Sequence, residues 1–176
     1  MKTSNMLRLA IVTIAIVFLP RLLKAQDKIW ADAKSAKEAF IKTDPSMKDL
    51  FNSSYGYAIF PNLGKGAVVV GAGGGNGAVY EKGKSIGTAN MTQVTVGAQA
   101  GGQAYREVIF FENKAALDHF KDNKLEFSAG LSAVAAKAGA SADVKYRQGV
   151  AVYTEEIGGL MLEASVGGQK FTYKNM

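Results

Sequence analysis

Residues 66–87 read GAVVVGAGGGNGAVYEKGKSIG, and two phosphate-binding patterns overlap within them. Gly73, Gly75 and Ala78 fit a G-x-G-x-x-G/A dinucleotide fingerprint behind the apolar run Val68-Val69-Val70. Residues 78–85 (AVYEKGKS) fit a relaxed P-loop with Ala in place of its first Gly. Both motifs work by presenting backbone amides to a phosphate where a helix begins. Here Gly77 to Tyr80 continues as a β-like run that Gly83 ends, and Ile86-Gly87-Thr88-Ala89-Asn90 is poor helix material. Glu81 would also turn a negative charge toward the phosphates. The pattern predicts sheet: a hairpin turning at residues 81–84, with Asn76-Gly77 as a further turn or bend. No nucleotide is expected as a ligand.

The other chemically able side chains are scattered. The chain has no cysteine, hence no disulfide and no thiolate site, and no G-x-S-x-G elbow. Its single histidine, His119, stands beside Asp118 on a short helical segment and reads as a surface residue. Glu155 and Glu156 are adjacent, so on a strand they would point to opposite faces, and a solvated turn before Gly158-Gly159 suits them better. Arg106 and Glu107 likewise alternate, and structural ion pairing accounts for them. No catalytic residue, metal site or cofactor is predicted, and an enzyme would need an activity with no visible residues to carry it.

Membrane contact is the remaining chemistry. Residues 27–42 (DKIWADAKSAKEAFIK) place Trp30, Ala33, Ala36, Lys37 and Phe40 near helical spacing, with Lys34 and Glu38 four apart. Lys28, Lys34, Lys37 and Lys42 beside Trp30 and Phe40 are the residue types of an interfacial helix, diluted by Asp27, Asp32 and Glu38. Taken alone, such a helix more often docks on its own sheet.

The elements around these residues follow from punctuation. Thr43-Asp44-Pro45 stops the first helix, and Asp44 as N-cap with Pro45 at the first helical position starts a second through Phe51. From Tyr55 onward, short runs rich in Val, Tyr, Phe and Thr are separated by glycine, which predicts an antiparallel sheet. Residues 113–123 form one intervening helix capped by Glu112-Asn113, and residues 128–142 fit a helix or a small-residue strand equally. Twenty glycines in a sheet protein imply strong bending or close backbone approach. The fold class is α+β: N-terminal helices packed on a bent, glycine-rich antiparallel sheet or a barrel-like sheet with one intervening helix. A transmembrane β-barrel is disfavoured, because no strand shows clear lipid-facing alternation over about ten residues.

Composition fits one domain of 176 residues, 48% hydrophobic. Residues 1–25 read as a signal peptide cleaved near Ala25: Lys2 and Arg8 precede the apolar stretch Leu9 to Leu19, which falls short of the about 20 residues of a membrane span. Without Lys2, Arg8, Arg21 and Lys24 the 21 basic residues become 17 against 15 acidic ones, and the net charge falls from +6 to +2. The remaining surface lacks the basicity of a nucleic-acid binder.

Several stretches resemble the SYLF domain family: residues 55–61 (YGYAIFP), 64–67 (GKGA), 75–79 (GNGAV), 95–103 (TVGAQAGGQ) and 158–168 (GGLMLEASVGG). The resemblance covers nearly all of residues 26–176 and implies a non-enzymatic domain that binds phospholipid headgroups, phosphoinositides in eukaryotic members, which are also described as actin regulators. In such members membrane contact is associated with a basic amphipathic segment near the domain's N-terminus. This sequence departs from that pattern, with a first helix of mixed charge behind an export leader, and the chain resembles the family's small exported bacterial members. The expectation is phospholipid or membrane-surface binding in the periplasm or outside the cell, with Trp30, Lys34, Lys37 and Phe40 as the membrane face. Lys65, in a loop between apolar runs, is expected as a headgroup contact. The alternative is an envelope structural or protein-interaction module with no lipid ligand and a protein partner that the sequence does not name.

Overall fold

The computed structural model describes residues 26–66, 70–96, 103–127, 132–135, 139, 141, 146–157, 164–165 and 168–176. The expected leader and much of the 128–142 segment lie outside them. Helix α1 (26–43) forms where Ala33, Ala36 and Phe40 recur on one face, and all three are buried. The Asp44 amide closes its last turn by donating to the Phe40 carbonyl at 2.8 Å, and Pro45 cannot extend it. Helix α2 (Met47–Ser53) follows, with Met47, Leu50 and Phe51 buried.

Asp44 does not cap α2 from the position expected. The helix starts at Met47 with Ser46 before it, and Asp44 instead makes an Asx-type turn, accepting from the Ser46 amide at 3.1 Å. The Asp44 carboxylate also accepts from the Ser46 hydroxyl (2.5 Å), the Gly139 amide (3.2 Å), and the Ser141 amide and hydroxyl (2.9 and 2.8 Å). Burial alone would raise its pKa. The bonds from Ser46, Ser141 and Gly139 outweigh that and hold the carboxyl at about 2.

Among the described residues nine strands follow: β1 (Gly56–Gly66), β2 (Val70–Glu81), β3 (Lys84–Val96), β4 (Gln103–Phe111), β5 (Glu126–Phe127), β6 (Ser132–Ala135), β7 (Val150–Glu156), β8 (Ala164–Ser165) and β9 (Gln169–Asn175). They hydrogen-bond in the order β5-β9-β3-β2-β1-β4-β7-β6-β8. Neighbours from β5 to β7 are antiparallel, β6 joins β7 in parallel, and the sheet is open among the described residues, so its barrel-like form stops short of closure. Helix α3 (Lys114–Lys121) lies between β4 and β5, its N-terminus capped by Asn113, whose side chain accepts from the Ala116 amide at 3.0 Å.

The glycine-rich run is sheet. Gly73, Gly75 and Ala78 sit within β2, and Lys84-Ser85 open β3, so no helix starts where either phosphate motif requires one. The hairpin turns on Lys82-Gly83, both in the left-handed region (φ 48° and 77°), the backbone that a two-residue type I′ turn demands. Asn76-Gly77 proves to be neither turn nor bend: it runs straight through β2, paired with Asn90 and Ala89. Gly77 is required there for space, because a β-carbon would come within 2.5 Å of the Ile59 carbonyl and 2.7 Å of the Phe60 ring. In β1 the register slips by one residue against β4 between Phe60 and Leu63 and against β2 between Ile59 and Gly64, around Pro61, which lacks an amide to donate and belongs at a bulge.

The bend is measurable in a single hydrogen bond. Gln169 of β9 donates to Glu107 of β4 at 2.9 Å, although their strands stand four places apart, a separation of about 19 Å in a flat sheet. The curled inner face holds Phe60, Met91, Ile109, Phe111, Val152 and Phe171, plugged by Leu117 and Phe120 of α3. Gln93, Tyr105, Glu107, Thr154 and Gln169 are buried as well, with the Tyr105 hydroxyl donating to Gln93 at 2.9 Å. The outer face, Tyr57, Ile59, Ala78, Val108, Phe110, Ala151 and Tyr153, is covered by Ala33, Ala36, Phe40, Met47, Leu50 and Phe51 of α1 and α2.

Candidate functional site

The small residues Ala33 and Ala36 on the buried side of α1 carry no bulk to hold the helix off the sheet, and the long side chains beside them are left along the helix margin. There Trp30, Lys34 and Lys37 face the β2–β3 hairpin. With Ala33, Tyr57, Tyr80, Gly83 and Ser85 they line a groove of about 390 Å³. Tyr57 and Tyr80 are direct register partners across β1 and β2, and their rings stack at 4.7 Å between centroids. Trp30 meets the edge of this stack, 5.7 Å from Tyr80 in a T-shaped contact.

Lys37 is the central cation. Its ammonium donates to the Tyr57 hydroxyl at 3.2 Å and lies 4.7 Å from the Phe51 ring centroid and 5.1 Å from that of Tyr57. Half-burial lowers its pKa. Burial, with Tyr80 as a neighbour, pushes the Tyr57 phenol up to about 12, so it carries no negative charge at neutral pH. No carboxylate lines the groove, and among the described residues neither Lys34 nor Lys37 has an ion-pair partner. Lys84 lies between the groove-lining Gly83 and Ser85 and is exposed. Glu81, at the foot of the hairpin, is engaged by the Tyr55 hydroxyl at 2.8 Å. The arrangement is a cationic groove with aromatic walls, suited to an anionic group that carries an apolar portion.

Three of the five residues singled out in the sequence are thus brought together. Phe40 is not: it is fully buried under α1, because the helix docks that face on the sheet. Lys65 lies in β1, paired with Gly73 and Gln103, and not in a loop. Tyr57, Tyr80 and Ser85 were missed, since their place depends on cross-strand register; the alternation of Tyr57 with Ala58 and of Tyr80 with Val79 was the available signal. The other candidates disperse. His119 is exposed on α3, and Asp118 pairs with Lys114 and Lys121. Glu155 and Glu156 end β7 rather than lying in a solvated turn. Glu155 is held by the Thr43 hydroxyl at 2.7 Å and by Arg106 at 3.6 Å, contacts that draw it out of solvent. Among the described residues no group of His, Asp and Glu could hold a metal ion, and no helix is long and apolar enough to cross a membrane.

Residues 92–175 match the family model Ysc84, described as Las17-binding protein actin regulator. Over residues 92–175 the chain thus matches the SYLF family. It is similar, at 32% identity over 170 residues, to Beta cell expansion factor A of Aeromonas veronii, and the alignment covers 97% of this chain. The chain spans 58% of the length of that relative. The family match runs from the second half of β3 to the end of β9, taking in β4, α3 and the strands after it. The groove residues all precede that stretch, so their role rests on geometry.

Proposed function

We propose that this SYLF chain is an exported, non-enzymatic domain that binds phospholipid headgroups at a membrane surface, using the groove between α1 and the β2–β3 hairpin. The observation that carries the reading is Lys37: a half-buried ammonium, flanked by aromatic faces and without an ion-pair partner among the described residues, in a groove that no carboxylate lines. A desolvated cation of this kind gains most from an anion that enters with it. Trp30 at the rim is the residue type that favours the boundary between headgroup and acyl chain. The leader-like residues 1–25 support export.

Co-sedimentation tests the reading. At low salt, where attraction between exposed charges is least screened, the protein should pellet with anionic vesicles and lose that association when Lys34 and Lys37 are both replaced by Gln. Recovery in the supernatant with every vesicle composition would refute it. The alternative, a protein-interaction module, is favoured by the family description, which names a protein partner. Pull-down with and without detergent separates the two: a lipid binder brings down phospholipid without a stoichiometric protein.

A further inference from the structure

Lys37 has a property that attraction to an anion leaves unused. Its Nζ lies over the Phe51 and Tyr57 rings, 4.7 and 5.1 Å from their centroids, in the groove of about 390 Å³. That setting disfavours the charged form, and burial lowers the pKa, so more of Lys37 stands as free amine than of a solvated lysine. The groups around it do not restore the charge. Tyr57 on β1 and Tyr80 on β2 have phenols that burial raises and keeps neutral, α2 contributes the Phe51 ring, Lys34 on α1 is itself a cation, and no carboxylate lines the walls. An unprotonated lysine in an apolar pocket is a nucleophile. Trp30, Tyr57 and Tyr80 supply the apolar walls, and the Tyr57 hydroxyl lies 3.2 Å from Nζ.

We propose that Lys37 is a covalent capture site for alkyl aldehydes, which lay their tails on the aromatic walls and condense with its amine as a Schiff base. The step balances without oxidant or reductant. Nζ bonds to the carbonyl carbon, the carbon–oxygen bond breaks, and the oxygen leaves as water with the two protons that the amine gives up. Tyr57, within hydrogen-bond reach of the nitrogen, hands a proton to the oxygen as the carbon–nitrogen bond forms and recovers one from the nitrogen, ending as it began. An aldehyde suits this site better than an acyl donor: acyl transfer needs preorganised donors for an oxyanion, whereas an imine needs an amine and one proton relay. The product fills the groove stoichiometrically, without turnover. The inference goes beyond the headgroup reading and does not rest on it.

The experiment treats the purified protein, free of vesicles and at neutral pH, with decanal and cyanoborohydride, which fixes the imine as a secondary amine. Peptide mass spectrometry then locates the adducts. Lys37 should be alkylated roughly tenfold faster than Lys34, one turn away on the same helix, a small part of what holding two reactants together can supply. Acetaldehyde, which has no tail for the aromatic walls, should show no such preference. Lys37→Arg should remove the fast adduct. Tyr57→Phe, which keeps the stacked ring, should slow alkylation at Lys37 while Lys34 reacts as before, and circular dichroism establishes that each variant is folded. Adducts spread evenly over the exposed lysines, or a preference for Lys37 that acetaldehyde shares, would overturn the inference. Unchanged trapping in Tyr57→Phe would overturn the relay. A protein that pellets with anionic vesicles yet shows no preference at Lys37 would lose this inference alone and keep the headgroup reading.

Discussion

The Phe60 ring occupies the space that a β-carbon on Gly77 would need: the nearest ring atom would be 2.7 Å away, and the Ile59 carbonyl 2.5 Å away. Glycine in β2 is therefore a packing requirement that lets β1 close over β2 and the sheet curl. Gly77→Ala should destabilise the fold by about 1–3 kcal/mol, the usual range for overpacking a core. Gly64→Ala, in the same sheet with nothing within 4 Å of the added carbon, is the control and should cost far less. Urea unfolding midpoints of the two variants decide it. Equal losses would show that glycine is tuning backbone entropy rather than making room.

Asp44 should set the acid sensitivity of the domain. Its folded carboxyl is held at about 2, below its ordinary 3.8. The sign follows: the stabilisation is fully present above pH about 4 and is lost as pH falls through the folded value, to an extent of about 2 kcal/mol. Asp44→Asn should lose that amount at neutral pH, and its stability should vary less than the wild type's between pH about 4 and about 2. Unfolding curves at those pH values measure it.

Phe40 separates the core from the site. Fully buried beneath α1, it should cost about 3–5 kcal/mol when replaced by Ala. Vesicle affinity per folded molecule should remain that of the wild type. A Phe40→Ala protein that stays fully stable and fails to bind vesicles would restore this residue to the membrane face.

Much of this arrangement is written locally. The Lys82-Gly83 turn, the Asn113 cap and the shared face of Trp30, Lys34 and Lys37 each follow from neighbours within one or two turns of chain. What is not legible depends on distant partners. Helical periodicity puts Phe40 with Ala33 and Ala36 but does not say whether the stripe meets a membrane or a sheet. Asn76-Gly77 carries the signature of a turn, and the Ile59 carbonyl and the Phe60 ring, 18 and 17 positions earlier, explain a glycine in mid-strand. Glu155 reads as solvated until Thr43 and Arg106 are brought to it. Tyr57 and Tyr80 enter the groove because β1 and β2 pair in one register, which shifts by one residue at the bulge around Pro61.

The most direct measurement places Trp30 against the lipid. With vesicles carrying a nitroxide quencher on the headgroup, Trp30 emission should shift to the blue on unlabelled anionic vesicles and be quenched on labelled ones, and Lys37→Met should lose both effects. A protein that sediments with those vesicles while its Trp30 emission stays unchanged would contradict the account, because the membrane would then be meeting some other face.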